Sequence, residues 1–457
     1  MLFRILAAAS AITIAAPVAA QNRAAERALF EKIVEIPTVD GRTAEFRKLT
    51  TLLKSEFAKA GIANVVVKDH DNTQTLIARW PAAKPSGKKP ILLMAHMDVV
   101  EAKAADWKNP PFEFREQGGY YLGRGTNDNK ADLTGLVLAL QELKRSGFAP
   151  TRDLIILFTG DEESTGNGAR RAMSEWRDLV DAEYALNVDG GGGAVYKDGR
   201  VDGFAIQIAE KTYADFKLVA TNRGGHSSAP RPDNAIYTLA GAIKALEAHR
   251  FTPKVNDATR AQFAKLAETD KGRLGSLITA WLADPSNRER ADMVETMLPG
   301  YTRTRCVATM LSGGHAPNAL PQRAEATVNC RIFPGEKIDQ VRQQLQALSG
   351  PDVTVSVIEG SATPDTDPTP LRPDIVDAFA AALAPKFPNA PIVPMMSAGA
   401  TDGSFVRSAG IPVYGIGGVY GIIGEPSGSH GLDERVLADA FHGQVPILVA
   451  LLRRLAG

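Results

Sequence analysis

Apolar residues recur at helical spacing at Phe46, Leu49, Leu53 and Phe57 ahead of Gly61, and again at Leu133, Leu136, Val137, Leu140 and Leu143 ahead of Gly147. This predicts two amphipathic helices, each ended by a glycine. Between and after them lie Val65-Val66-Val67, Thr75-Leu76-Ile77-Ala78, Ile91-Leu92-Leu93-Met94 and Leu154-Ile155-Ile156-Leu157-Phe158. Apolar runs without polar alternation predict strands buried on both faces, the habit of parallel sheets. The alternation from about residue 24 to 200 therefore predicts an α/β unit, a mainly parallel sheet covered by helices.

From about residue 210 the pattern changes. Asp215 to Ala220 reads as a strand, Asp233 to Ala248 as a capped helix, Arg305 to Leu311 and Ala324 to Ile332 as a pair of strands, and Lys337 to Leu348 as a helix. This set predicts a compact α+β module. Residues 251–300, with Arg260, Lys265, Glu268, Lys271 and Glu289 among few strand signals, are expected to be a helical insertion inside it. Residues 361–370 are rich in proline, threonine and aspartate and read as a linker. The α/β pattern then resumes with a helix from about Ile375, a strand at Ile411 to Tyr414 and a closing helix from about Glu434. The expected organisation is an α/β domain in two parts, residues 21–209 and 361–457, interrupted by an α+β domain at 210–360.

The chain has 457 residues, 44% hydrophobic and 23% charged, enough for two full cores. Lysine plus arginine and aspartate plus glutamate stand at 52 each, so there is no net basic charge for nucleic acid, and a small neutral or zwitterionic substrate fits better. Residues 1–20 read as a signal peptide: Met1-Leu2-Phe3-Arg4 supplies a positive start, Ile5 to Ala16 is apolar but too short to span a bilayer, and Val18-Ala19-Ala20 has the small-x-small pattern of a cleavage site. Export to the periplasm or beyond is expected, with Gln21 opening the mature chain and no membrane span in it; a retained anchor is the alternative. Cys306 and Cys330 would then face an oxidising compartment. They lie on strands expected to pair, and are expected either to form a disulfide or to pack as two small buried hydrophobes.

Candidate chemistry is concentrated in five short segments: Met94-Ala95-His96-Met97-Asp98, Thr126-Asn127-Asp128-Asn129, Gly160-Asp161-Glu162-Glu163, Val188-Asp189-Gly190 and Ser429-His430-Gly431. The first and third follow buried strands, at the edge where open α/β sheets place ligands. His96 and Asp98 are two apart and point to one side, so His96 is suited to bind a metal while Asp98 orients its other ring nitrogen. A lone histidine there would more often be packed core; the other segments reverse that reading. Asp128 precedes a helix, where it is either a cap or a carboxylate shared by two cations. Glu162 and Glu163 are adjacent, and on a surface would be merely solvated. The flanking Gly160 and Gly166 allow a turn that sends one to a metal and the other to proton transfer.

The set His-x-Asp, Gly-x-x-Asp-x-Lys, Asp-Glu-Glu, a later aspartate after a strand, Gly-x-His-Ser-x-x-Pro and a C-terminal His-Gly resembles the dizinc exopeptidase and aminoacylase family that includes glutamate carboxypeptidase, carnosinase-type dipeptidases and succinyl-diaminopimelate desuccinylase. The resemblance covers essentially the whole mature chain. It implies two zinc ions per chain, with Co2+ or Mn2+ as substitutes, bridged by Asp128; His96 and Asp189 would complete one site, Glu163 and His430 the other. It also implies Glu162 as general base, Asp98 as orienter, and a cis peptide bond before Asn129.

The same resemblance marks His226, in Gly224-Gly225-His226-Ser227-Ser228-Ala229-Pro230, as an oxyanion-binding histidine that reaches into the site of a partner subunit, which makes a homodimer the expected assembly. It marks Asn318 and Arg331 as substrate contacts, Arg331 pairing with a C-terminal carboxylate that its planar fork matches. Gly399 and Thr401 belong to a loop whose backbone groups would meet that carboxylate, with Ala400 where the family more often has glycine. An aspartate at 189, in place of the glutamate usual in aminoacylases, tilts the reading to a peptidase. The expected function is hydrolysis of a peptide amide near a free C-terminal carboxylate by metal-activated water. An N-acyl amino-acid amidohydrolase and a catalytically silent peptide-binding module are the alternatives.

Overall fold

A computed structural model describes residues 15–457; residues 1–14, most of the expected signal peptide, lie outside the described residues, and the helix Ala15–Val34 runs across position 20. The fold is α/β with a large sheet and a smaller α+β module. The large sheet has ten strands. At its centre Leu154–Thr159, Ile91–His96, Tyr184–Asn187 and Val413–Gly415 run parallel, in that order. All are buried throughout, as apolar runs without polar alternation require. Asn64–His70 and Thr73–Trp80 add an antiparallel edge. Helices Thr43–Lys59, Lys130–Arg145, Pro373–Leu383 and Ala438–Ala456 pack their apolar stripes, Leu49, Leu53, Leu136, Leu140, Phe379 and Leu448 among them, into the main core.

Four antiparallel strands build the module, in the order Arg305–Gly313, Arg323–Ile332, Thr212–Thr221 and Val353–Val357. Burial alternates strictly along Thr212–Thr221 and Arg323–Ile332, and the buried face is covered by helices Ala235–Ala248 and Ile338–Ser349. Cys306 and Cys330 lie opposite one another and form a disulfide, with Cα atoms 4.1 Å apart. Lys211 alone separates this sheet from strand Val201–Glu210 of the large one.

Three expectations need correction. The helix expected from Asp233 starts at Ala235, capped by Asn234, whose side chain accepts from the N–H groups of Ile236 and Tyr237; Asp233 pairs with Arg231 instead. The insertion is helical, as Asp257–Thr269, Arg273–Ala283 and Arg288–Met297, but it does not pack only inside the module. Ala258 belongs to the main core, and Gln262 accepts from the N–H of Met396 at 3.3 Å, so the insertion leans on strand Ile392–Ser397 of the large sheet. The closing helix begins at Ala438, and Glu434 ahead of it has a different use.

Candidate functional site

The five ligand-bearing segments meet at the carboxyl ends of the central strands. His96 closes its strand with its ring almost fully buried; Nε2 lies 3.1 Å from Asp128 Oδ1 and 3.3 Å from Asp189 Oδ1. On the other side of Asp128, its Oδ2 is 3.3 Å from His430 Nε2, which is 2.9 Å from Glu163 Oε2. Asp128 is thus common to two donor sets, His96–Asp128–Asp189 and Asp128–Glu163–His430, in each of which the ligand atoms lie within 4.8 Å of one another. The peptide bond between Asp128 and Asn129 is cis, and Asn129 Oδ1 accepts from the N–H of His96 at 3.2 Å.

Charge supports a metal site. Burial, with Asp128 and Glu163 nearby, pushes the Asp189 carboxyl up to about 6 against the pull of His96. Burial and Asp189 push Glu162 well above the usual carboxylate range. Asp128 moves the other way: burial opposes it, but bonds to His430 and His96 hold its carboxyl well below that range. Bonds to Asp128 and Glu163 raise His430 to about 10. Four carboxylates crowded around two imidazoles are short of positive charge, and nitrogen and oxygen donors at this spacing suit borderline divalent cations such as zinc. The residues present therefore fit a pair of such ions.

The expected orienter stays beside His96 and has a second use as well. His96 Nδ1 meets the backbone carbonyl of Asp98 at 3.0 Å, with the Asp98 carboxylate farther off at 3.4 Å. That carboxylate accepts from the N–H groups of Glu162 at 3.2 Å and Glu163 at 2.9 Å. Asp98 therefore fixes the turn that separates the two glutamates, and its main chain sets the histidine.

A cleft of about 640 Å³ opens beside the donor sets, lined by Glu162, Glu163, His430, Arg331 and Gly399 among others. The Arg331 guanidinium stacks on the Tyr213 ring, 4.6 Å from its centroid; Tyr213 donates to Asp215, which also accepts from Asn329. Thr401 reaches the cleft wall with its donors already committed: its N–H and hydroxyl both bond Glu210, at 2.7 and 2.8 Å. Glu210 is buried and paired with Arg407 at 2.7 Å. The Gly399 N–H bonds the Ser397 hydroxyl at 3.1 Å. The expectation that this loop offers its backbone donors to a carboxylate is corrected accordingly; the loop is held by a buried ion pair that the sequence reading missed.

His226 and Asn318 stand apart. His226 is exposed on a two-residue ladder, Gly225–His226 against Ala319–Leu320, and its Nδ1 accepts from the N–H of Ser228 at 3.1 Å. The N–H of Ser227 bonds the carbonyl of Asn318 at 3.0 Å. The two neighbour each other, but neither lines the cleft of their own chain.

The largest omission of the sequence reading is Glu434. Its buried carboxylate accepts from the N–H groups of Gly125, Asn127 and Asp128, each at 2.9 Å, and from Arg124 at 2.6 Å. Arg124 also donates to the carbonyl of Gly431 at 3.0 Å, and Asn127 to the Ser429 hydroxyl at 2.9 Å. One charge pair thus ties the Asp128 loop to the His430 loop across 310 residues of chain. An acidic residue just ahead of an apolar run looks like an ordinary helix start, so no local signal marks it.

A parallel-centred sheet whose strand ends bring together two overlapping sets of metal-type ligands, with a further carboxylate alongside, defines a metal-dependent hydrolase. The chain belongs to the family described as Peptidase family M20/M25/M40, which it matches over residues 92–454. It is 28% identical over 439 residues to N-fatty-acyl-amino acid synthase/hydrolase PM20D1.1 of Danio rerio, covering 89% of this chain and 81% of that one. It is 28% identical over 372 residues to the "Probable carboxypeptidase S-like 2" of Dictyostelium discoideum, covering 78% and 69%. Its fold is similar to that of an M20 family metallo-carboxypeptidase from Sulfolobus solfataricus, with TM-score 0.69 and 18% identity, covering 94% of this chain and 98% of the other. It is also similar to the YXEP protein of Bacillus subtilis, described as a dinuclear metal binding peptidase, with TM-score 0.57 and 12% identity, covering 94% and 99%.

Proposed function

We propose that the protein is an exported dizinc exopeptidase that hydrolyses an amide bond next to a free carboxylate. The observation that carries this reading is one cleft lined both by Arg331, stacked on Tyr213, and by Glu162, Glu163 and His430. His96, Asp128 and Asp189 would hold one cation, and Asp128, Glu163 and His430 the other. Bound there, the pair would supply Lewis acidity, polarising the scissile carbonyl and making water acidic enough to react near neutral pH.

The chain's own residues do the rest. Arg331 takes the substrate carboxylate through its planar fork and fixes the position of the scissile bond. Glu162, held by the Asp98 contact to its backbone, accepts the proton of the attacking water and returns it to the leaving amine. Asn318, beside His226 and outside the cleft of its own chain, contacts the substrate held by a second copy. His226 binds the developing oxyanion in the active site of a second copy. The edge strand Arg305–Gly313 supports such a dimer: Val307, Met310 and Leu311 are exposed along it, beside Ile236 and Tyr237, and an open apolar edge favours a partner strand. The four-stranded module would then serve as lid and dimerisation domain over residues 210–360, within an α/β domain made of 21–209 and 361–457.

Glu162→Gln tests the reading. It is expected to retain two metals per chain and lose roughly 10²- to 10⁴-fold in turnover, the usual worth of a general base. Loss of metal from that variant would show that Glu162 is a ligand. A chelator should abolish activity and zinc restore it. Export is tested by N-terminal sequencing of the mature protein, expected to begin at Gln21. The names of the synthase/hydrolase relatives support a second reading, an N-acyl amino-acid amidohydrolase.

A further inference from the structure

A second cavity, of about 370 Å³, reaches the same donor sets. It shares no lining residue with the Arg331 cleft, yet each is bounded by ligand candidates: Asp128 and Asp189 here, Glu163 and His430 there. A substrate whose carboxylate sits at Arg331 and whose scissile bond lies at the donor sets would send its other half into this second space.

Its lining is acidic. Asp128 and Asp189 belong to the donor sets, and Glu425 is engaged by Tyr120 and by Lys197 at 3.1 Å. Arg435, the basic residue of the lining, is stacked on Tyr120, 4.5 Å from the ring centroid. That leaves Asp132, in the first turn of helix Lys130–Arg145. It is only 7% exposed, and its Oδ1 has no hydrogen-bond partner among the described residues. Gly417 keeps the approach open: a Cβ there would lie 3.3 Å from Asp132 Oδ1 and 3.5 Å from the carbonyl oxygens of Val188 and Gly190. Asp132, Val188, Gly190 and Gly417 all line the cavity, so an unpartnered carboxylate oxygen and two nearby main-chain carbonyls offer acceptors at this end of it, the chemistry an ammonium group can use.

Resting on the proposed hydrolysis, we infer that this cavity receives the acyl half of the substrate and that Asp132, with the carbonyls of Val188 and Gly190, binds an ammonium group on it. The substrates are then peptides that carry a cation on that half, and acyl chains without one are excluded by an unpaired buried carboxylate. The cation comes from a free α-amine or from a basic side chain, and suitable probes separate the two.

The experiment compares kcat/KM for Gly-Leu, N-acetyl-Gly-Leu and N-acetyl-Lys-Leu. Wild type is expected to favour Gly-Leu, N-acetyl-Lys-Leu or both over N-acetyl-Gly-Leu by roughly 10- to 100-fold, the worth of one charge-assisted hydrogen bond. Asp132→Asn should erase that preference, chiefly through KM: use of the cationic probes falls, and N-acetyl-Gly-Leu, no longer facing an unpaired carboxylate, gains. Binding of the same three probes to metal-loaded Glu162→Gln by calorimetry gives the same comparison without turnover and without altering Asp132. Equal or better use of N-acetyl-Gly-Leu by wild type overturns the ammonium site while leaving hydrolysis near a carboxylate intact. An equal loss on all three probes in Asp132→Asn also overturns it. No turnover of any probe, with no binding to Glu162→Gln, overturns both readings.

Discussion

The loops around Asp128 and His226 look alike in sequence, each a short polar stretch with glycines and one ligand-type side chain. They are built in opposite ways. The Asp128 loop is fixed by four bonds to the buried Glu434, and the His226 loop sits exposed on a two-residue ladder, with bonds only to its near neighbours and to the Asn318 turn. A ligand that must hold its place to a fraction of an ångström is supported by buried charge. Under the proposed action in a second copy, His226 must project from its own chain, and its exposed position on the short ladder is consistent with that.

That contrast can be broken at its strongest point by Glu434→Ala, which leaves Arg124 buried without its partner. A loss of about 3 to 5 kcal/mol in stability is expected, the usual cost of removing one member of a buried pair, together with loss of bound metal. Denaturant unfolding and metal analysis check it, and near-normal values for both would mean that the loop holds itself. His226→Ala probes the other side. Turnover should fall by ~10²- to 10³-fold, as for loss of an oxyanion donor, with melting temperature and metal content unchanged. Mixing inactive His226→Ala with inactive Glu162→Gln under subunit exchange should restore part of the activity, because one site of the heterodimer then has both residues. Exchange without recovery would rule out action in trans.

The disulfide sharpens the comparison within the module. Cys306→Ser combined with Cys330→Ser should cost about 3 kcal/mol through the freed loop and leave metal content unchanged, since the bridge lies in the module strands and not under the donor sets. Free-thiol titration of the native protein should find none. The smallest effect is at the helix following the His226 loop. Asn234→Ala should cost about 1 kcal/mol, the worth of an N-cap, and Asp233→Ala clearly less, being an exposed pair. If the two change places in thermal melts, the capping assignment is wrong.

Much of this was legible because its physics is local. Unbroken apolar runs such as Leu154 to Phe158 must be buried on both faces, so the central strands and the ligands at their ends could be placed from the chain alone. Asp215 to Ala220 was legible as a strand, and the structure adds that its burial alternates, one face covered and one open. The donor residues were recognisable because nitrogen and oxygen ligands at strand ends leave a pattern of residue types. What escaped depends on partners far away in sequence. Glu434, 306 residues beyond Asp128, reads as a helix start until the fold brings it under three N–H groups and a guanidinium. Glu210 reads as a strand end until Arg407 and Thr401 close on it. The helical insertion was recognised by composition, but only packing joined Ala258 to the core of the larger sheet. The sequence by itself determined which elements form and which side chains offer the chemistry, since periodicity and residue type act over a few residues. The tertiary structure decided what holds those side chains in place, because a buried charge takes its role from whichever groups the fold delivers to it.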